Sequence, residues 1–156
     1  ELDIIINAIS KTSENLRNRV RPNVEAHMQS ILPIITDGKY AAVQLTDRYD
    51  VKVFSPDAGE FLEKEIFSGG TEDQFLLAAR VSFALALLPE SKHSQPEFLF
   101  LDEPLGSSDE VRRDGIMKLT NTLLSEVFPQ IFIISHVSGL EDDVDHVIEL
   151  VEGQVA

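Results

Sequence analysis

The 156 residues fall in the single-domain range, and 43% apolar against 26% charged residues suit a chain that buries a core of its own. No apolar run reaches the roughly 18 to 20 residues of a membrane helix and no secretory pattern opens the chain, so we expect a soluble intracellular domain with no membrane partner, in cytoplasm or nucleoid, or in a nucleus. The absence of cysteine excludes a disulfide framework and a thiolate metal site, and a net charge of −14 repels nucleic acid, so any DNA contact must be local or come through a partner.

Residues 1 to about 31 read as helix. Leu2, Ile5, Ile6, Ile9, Leu16 and Val20 recur at helical spacing, and the heptad-like set Leu2, Ile9, Leu16 breaks at Asn23. The pattern suits an amphipathic surface helix or the root of a coiled coil, and Pro22 predicts a kink or the start of a second helix. Opening on Glu1 inside a helical pattern leads us to expect a segment of a longer polypeptide. Lys11, Arg17, Arg19 and Arg21 are the densest basic cluster, on or near this helix, and fit a solvated face. Asp37-Gly38 marks a turn. Alternating runs from Tyr40 to Thr46 and from Tyr49 to Ser55 then predict a hairpin through Asp47-Arg48, with Val43 and Leu45 on one face and Tyr49, Val51 and Val53 on one face of the second strand. Ser55-Pro56-Asp57-Ala58-Gly59 closes this β unit.

From Phe75 to Leu88 the chain is apolar nearly all round, which predicts a helix buried on most sides that stops at Pro89, before a polar loop from Glu90 to Glu97. Thr71 with Gln74 fits a capping box, placing Ser68, Gly69 and Gly70 just before the helix. Phe98-Leu99-Phe100-Leu101 and Ile131-Phe132-Ile133-Ile134 have the pattern of parallel strands covered on both faces. Between them Ile116, Leu119, Leu123 and Val127 fit a crossover helix, with Ser107 and Glu110 as its capping box. Val147, Ile148 and Leu150 predict a further strand.

Two of these strands end in reactive residues. Asp102 and Glu103 follow the first and Ser135-His136 the second, so parallel neighbours would bring them to the carboxyl edge, where open α/β sheets bind ligands. Aspartate oxygen suits Mg²⁺, a neighbouring glutamate suits polarisation of water, and an imidazole suits a hydrogen bond to a transferring phosphate. At Ser68-Gly69-Gly70 the exposed N–H groups and the helix dipole favour an anion, and glycine permits close approach, so phosphate binding is the natural use. Glu72 and Asp73 would repel a nucleotide and should point away from it.

The order of these features resembles the second half of ATP-binding-cassette ATPases. Phe67 to Gln74 looks like the signature motif, Phe98 to Glu103 like Walker B, Ser107-Ser108-Asp109 like the D-loop, and His136 like the switch histidine of the H-loop. The N-terminal helix and hairpin look like the arm root and signature subdomain of the SMC and SbcC-like branch, with Glu110 to Arg113 and Asp145 to Leu150 leaning towards the SbcC-like side. Departures are Phe67 and Ser108 where leucine is common, and Thr71-Glu72-Asp73 in place of a more basic signature. The resemblance implies a P-loop-NTPase-like α/β cassette lobe with a mostly parallel sheet, a helical signature subdomain and a coiled-coil root, divided into a root helix (1–36) and an ATPase lobe (37–156).

It also implies ATP and Mg²⁺ as ligands, with Asp102 at the metal, Glu103 at the attacking water and His136 at the γ-phosphate. Ser68, Gly69 and Gly70, with Gln74 and Asp109, would meet a nucleotide held by a second head. A phosphate-binding loop is missing: the only Gly-Lys, Gly38-Lys39, has Pro33 at the first glycine position and Tyr40 at the hydroxyl position. The implied partners are therefore an N-terminal Walker A lobe of the same protein, a second head, an Mre-type nuclease, and DNA through the assembled complex. Two alternatives stay open, an ATP-dependent clamp with negligible hydrolysis and the nucleotide-binding domain of a transporter.

Overall fold

The computed structural model describes residues 2–89, 91, 95–106 and 109–155, without the side chains of 8, 13 and 15–17. Ser107 and Ser108, the Leu16 heptad position, Arg17 and Glu90 lie outside what is described. A single helix, α1 (Leu2–Ile35), opens the chain and carries Pro22 and Pro33 within it, so Pro22 neither ends it nor starts a second. No described side chain before Val24 is buried. From there Val24, Met28, Ile31, Leu32 and Ile35 are sealed, each removal of such a side chain from water contributing about 1.5 to 3 kcal/mol.

Three antiparallel strands follow, β1 (Val43–Leu45), β2 (Val51–Ser55) and β3 (Glu60–Glu63), in that order in the sheet. Val43 pairs with Val53 and Leu45 with Val51, all buried on one face. Tyr49 lies outside the strand at a positive φ of 66°, its ring 5.4 Å from that of Phe83. The edge of β1 is covered by a polar stripe of α1 at four-residue spacing. Arg21 pairs with Asp47, Glu25 Oε1 accepts the Leu45 N–H at 2.6 Å, and Gln29 Nε2 donates to the Val43 carbonyl at 3.4 Å. Such cover removes an open strand edge. Arg21 is thus engaged in an ion pair at the surface, its partner Asp47 being almost fully exposed.

A short turn of 3-10 helix (Lys64–Ile66) leads into α2 (Gly69–Ala86), which buries Phe75, Ala78, Val81, Ser82 and Leu85 among others. The capping box expected at Thr71 does not form. Ser68 caps the helix, its carbonyl accepting the N–H groups of Thr71 and Glu72 at 2.8 Å each, and Gln74 turns inward to donate to the carbonyl of Ile35. The carbonyl at the end of α1 has no helical partner, and a buried amide satisfies it better than a cap that solvent can replace.

Strand β4 (Phe98–Asp102) pairs in parallel with β5 (Gln130–Ile134), Asp102 opposite Ile134. The crossover begins with α3 (Glu110–Leu119), passes through a π turn at Thr120–Leu124 and ends in α4 (Ser125–Val127). Its cap is Asp109, whose carboxylate accepts the Arg112 N–H at 3.0 Å. Thr120 and Thr122 hydroxyls donate to the carbonyls four residues back, at 3.0 and 2.6 Å, and so compete with the backbone ladder where the π turn sits.

The expectation that both faces of these strands are covered fails. Leu99, Leu101, Ile131 and Ile133 join the core, whereas Phe98, Phe100, Phe132 and Ile134 are 40 to 57% exposed. Two strands with helices on one side cannot bury the other. Val147 and Ile148 form no strand and are exposed; the residues that pair there are β6 (Leu150–Val151) and β7 (Gln154–Val155), a two-residue hairpin. The chain after β5 finds no strand of the parallel sheet to join among the described residues.

Candidate functional site

Parallel pairing of β4 and β5 brings Asp102, Glu103 and His136 to one sheet edge, as their spacing predicts. The Glu103 N–H donates to the Ile134 carbonyl at 2.9 Å, extending the ladder one residue past the strand. Glu103 then takes a left-handed φ of 47°, a conformation that a non-glycine residue holds only when its surroundings impose it. Its Oε1 lies 2.9 Å from His136 Nδ1, and a proton on Nδ1 would be donated to the carboxylate. The imidazole is 76% exposed and the Glu103 side chain 41%, open to a ligand from above. Asp102, exposed at the strand end, offers one carboxylate. Among the described residues no three acidic or histidine side chains cluster as a metal site. One carboxylate fits Mg²⁺, which takes few protein ligands and completes its shell with phosphate and water.

The second group forms around the start of α2. Phe67 sits edge-on to Tyr40 at 5.4 Å and to Phe75 at 5.0 Å, and Tyr40 edge-on to Phe75 at 5.1 Å. This triad, each pair contributing about 0.5 to 1.5 kcal/mol beyond burial, fixes the residue before Ser68 and gives a reason for phenylalanine there. Ser68 and Gly69 stand exposed at the helix start, with Ser68 Oγ 2.9 Å from Thr71 Oγ1. Glu72 is held by Lys64 Nζ at 2.7 Å, and Lys64 also binds Glu65 at 2.6 Å. These bonds, Glu65's first, push the Lys64 ammonium up to about 12.

Asp109 joins this second group through Arg112, whose guanidinium reaches Gly70; Gln74 joins neither, being buried against Ile35. In the sequence Arg112 enters only within Glu110 to Arg113, as part of the resemblance and with no role at a site. Its one signal there is a position three residues after Asp109, where a cap and an ion pair can share a partner.

No protein-family model matches the chain. It superposes with a TM-score of 0.70, at 14% identity, on an SMC ATPase structure from work on ATP-driven dimerization and DNA stimulated activation, covering 91% of this chain and 86% of that one. An SMC head domain from Thermotoga maritima superposes with a TM-score of 0.63 at 17% identity, over 91% and 50%. The fold is therefore the α/β cassette lobe of an SMC-type ATPase head. In sequence the chain is 36% identical over 147 residues to the DNA double-strand break repair Rad50 ATPase of Archaeoglobus fulgidus, covering 88% of this chain and 16% of that protein. It is 27% identical over 162 residues to the protein of the same name from Methanosarcina mazei, covering 94% and 15%. The chain belongs to the Rad50 family, as a segment spanning a small part of those relatives' length.

Proposed function

We propose that the chain is the C-terminal lobe of a head that hydrolyses ATP to ADP and phosphate at composite sites between two heads, driving their engagement and release in DNA double-strand-break repair or chromosome maintenance. The observation that carries this reading is the Glu103–His136 contact of 2.9 Å beside Asp102, on the carboxyl edge of two parallel strands. The Glu103 carboxylate accepts a proton from the attacking water, and its contact with Nδ1 orients His136 so that Nε2 meets the γ-phosphate. Asp102 would hold Mg²⁺, which when bound offsets phosphate charge. Ser68, Gly69, Gly70 and Asp109 face the nucleotide of the second head.

The exposed row Phe98, Phe100, Phe132 and Ile134 supports an N-terminal Walker A lobe as the element that covers the sheet, since a soluble protein rarely leaves so continuous an apolar face open. In this reading residues 1–36 are the root of the coiled-coil arm and 37–156 the lobe, and an Mre-type nuclease and DNA meet the assembled complex. Isothermal titration with Mg·ATP is the test. The chain alone should bind weakly or not at all, and adding the N-terminal lobe should restore binding; tight stoichiometric binding by the chain alone would overturn the split-head reading.

A further inference from the structure

The two signature glycines have different surroundings. A Cβ added to Gly69 would meet nothing within 4 Å, whereas one added to Gly70 would collide with the Arg112 guanidinium, with Cζ at 2.5 Å and Nη2 at 2.9 Å. Gly70 does not need to be glycine for its backbone, since it lies in α2 and is not among the residues with positive φ. A methyl there would make the guanidinium, the free end of a flexible side chain, shift away. Arg112 fills that space from the first turn of α3, and Asp109 holds it at both ends: Oδ1 accepts its N–H at 3.0 Å and Oδ2 lies 3.7 Å from Nη1. A cation beside a helix N-terminus opposes the helix dipole. Asp109 offsets part of that cost, and an incoming phosphate would offset more.

We propose that Arg112 is a positioning residue that ties the first turn of α2 to Asp109, so that the signature turn and Asp109 meet a second head as one piece. On this view Gly70 is required by Arg112 within the chain, and Gly69 by what approaches from outside. The inference rests on the reading of Ser68-Gly69-Gly70 as the half-site for a nucleotide bound to another head.

A double-mutant cycle on the head reconstituted with its Walker A lobe tests it, with dimerisation driven by a slowly hydrolysed ATP analogue and followed by light scattering. Arg112→Ala should weaken dimerisation about tenfold, the scale of a lost coupling between contacting groups, and Gly70→Ala should do about the same. The affinity of the single head for nucleotide held by its own Walker A lobe should stay at the wild-type value in both, and both heads should remain folded at the assay temperature. The double variant Gly70→Ala/Arg112→Ala should dimerise no worse than Arg112→Ala, because the group that the new methyl displaces is gone. Arg112→Lys, which keeps the charge and loses the fork, should recover part of the loss. Effects of Gly70→Ala and Arg112→Ala that multiply in the double variant would show that the nucleotide itself needs Gly70 bare, and would overturn the proposal. So would normal dimerisation by Arg112→Ala. Failure of the wild-type head to dimerise with the analogue would instead overturn the half-site reading beneath it.

Discussion

Glu103 combines three constraints in one residue: a left-handed backbone, an N–H tied to Ile134 and a carboxylate against His136. Together they fix the backbone of Glu103 and one of its carboxylate oxygens at the sheet edge next to Asp102 in sequence. Glu103→Gln keeps the shape and the backbone bond but removes the base, so single turnovers of the complete head, followed by rapid quench, should slow by about 10² to 10⁴-fold with ATP binding largely retained. An unchanged rate would remove Glu103 from the mechanism. This site was legible in the sequence because strand ends are: a continuous apolar run locates the strand, and the residue after it has nowhere to go but the edge. Gln74 and Arg112 were not legible. Gln74 sits at N3-like spacing from Thr71 and satisfies the sequence rule for a cap, yet its amide meets the carbonyl of Ile35, 39 residues away in sequence. Only the packing of α1 on α2 decides between those partners.

Among the elements, α2 is packed tightly enough to carry one unmatched polar atom. The Ser82 Oγ is fully buried and has no hydrogen-bond partner. Ser82→Ala removes that atom at nearly the same volume and in a helix, where alanine is favoured, so stability should rise by about 1 kcal/mol, read from the urea midpoint. Gly115 gives the opposite case. Its Cβ would lie 2.8 Å from the Ile35 carbonyl oxygen and 3.0 Å from the Ile35 Cα, so α3 crosses the end of α1 backbone to backbone. Gly115→Ala gains about 1 kcal/mol of helix preference, but overlap with backbone that cannot rotate away costs about 1 to 3, and the midpoint should fall. The elements with a strong period were legible in the sequence, and β3 was not. Its four residues, Glu60 to Glu63, expose both ends and show no alternation, and they pair because β2 already presents a free edge.

At the scale of the whole molecule the two sides of the parallel sheet differ. One joins the core of α1 and α2, and the other presents two phenylalanine rings stacked 4.7 Å apart, Phe100 and Phe132, with Phe98 edge-on at 5.4 Å. The sequence pattern predicts a doubly covered strand, but among the described residues no element covers the second face. Phe100→Lys with Phe132→Lys should leave the isolated chain more soluble and abolish its co-elution with the Walker A lobe on size exclusion. Continued co-elution would place that lobe elsewhere.

The anchoring of α1 has a mechanical consequence. About 22 residues before Val24, roughly 33 Å of helix, carry no buried described side chain, while the 12 from Val24 to Ile35, roughly 18 Å, hold the five sealed ones. The exposed part is the longer arm, held at its base by Val20 packed on the core and by Arg21 paired with Asp47, and the other end of the helix stops at the carbonyl that Gln74 holds. Pro22, which lacks an amide donor, removes one backbone hydrogen bond at that base. Because Gln74 lies one helical turn from Gly70, a displacement of this end of α1 would reach the first turns of α2 through that one hydrogen bond.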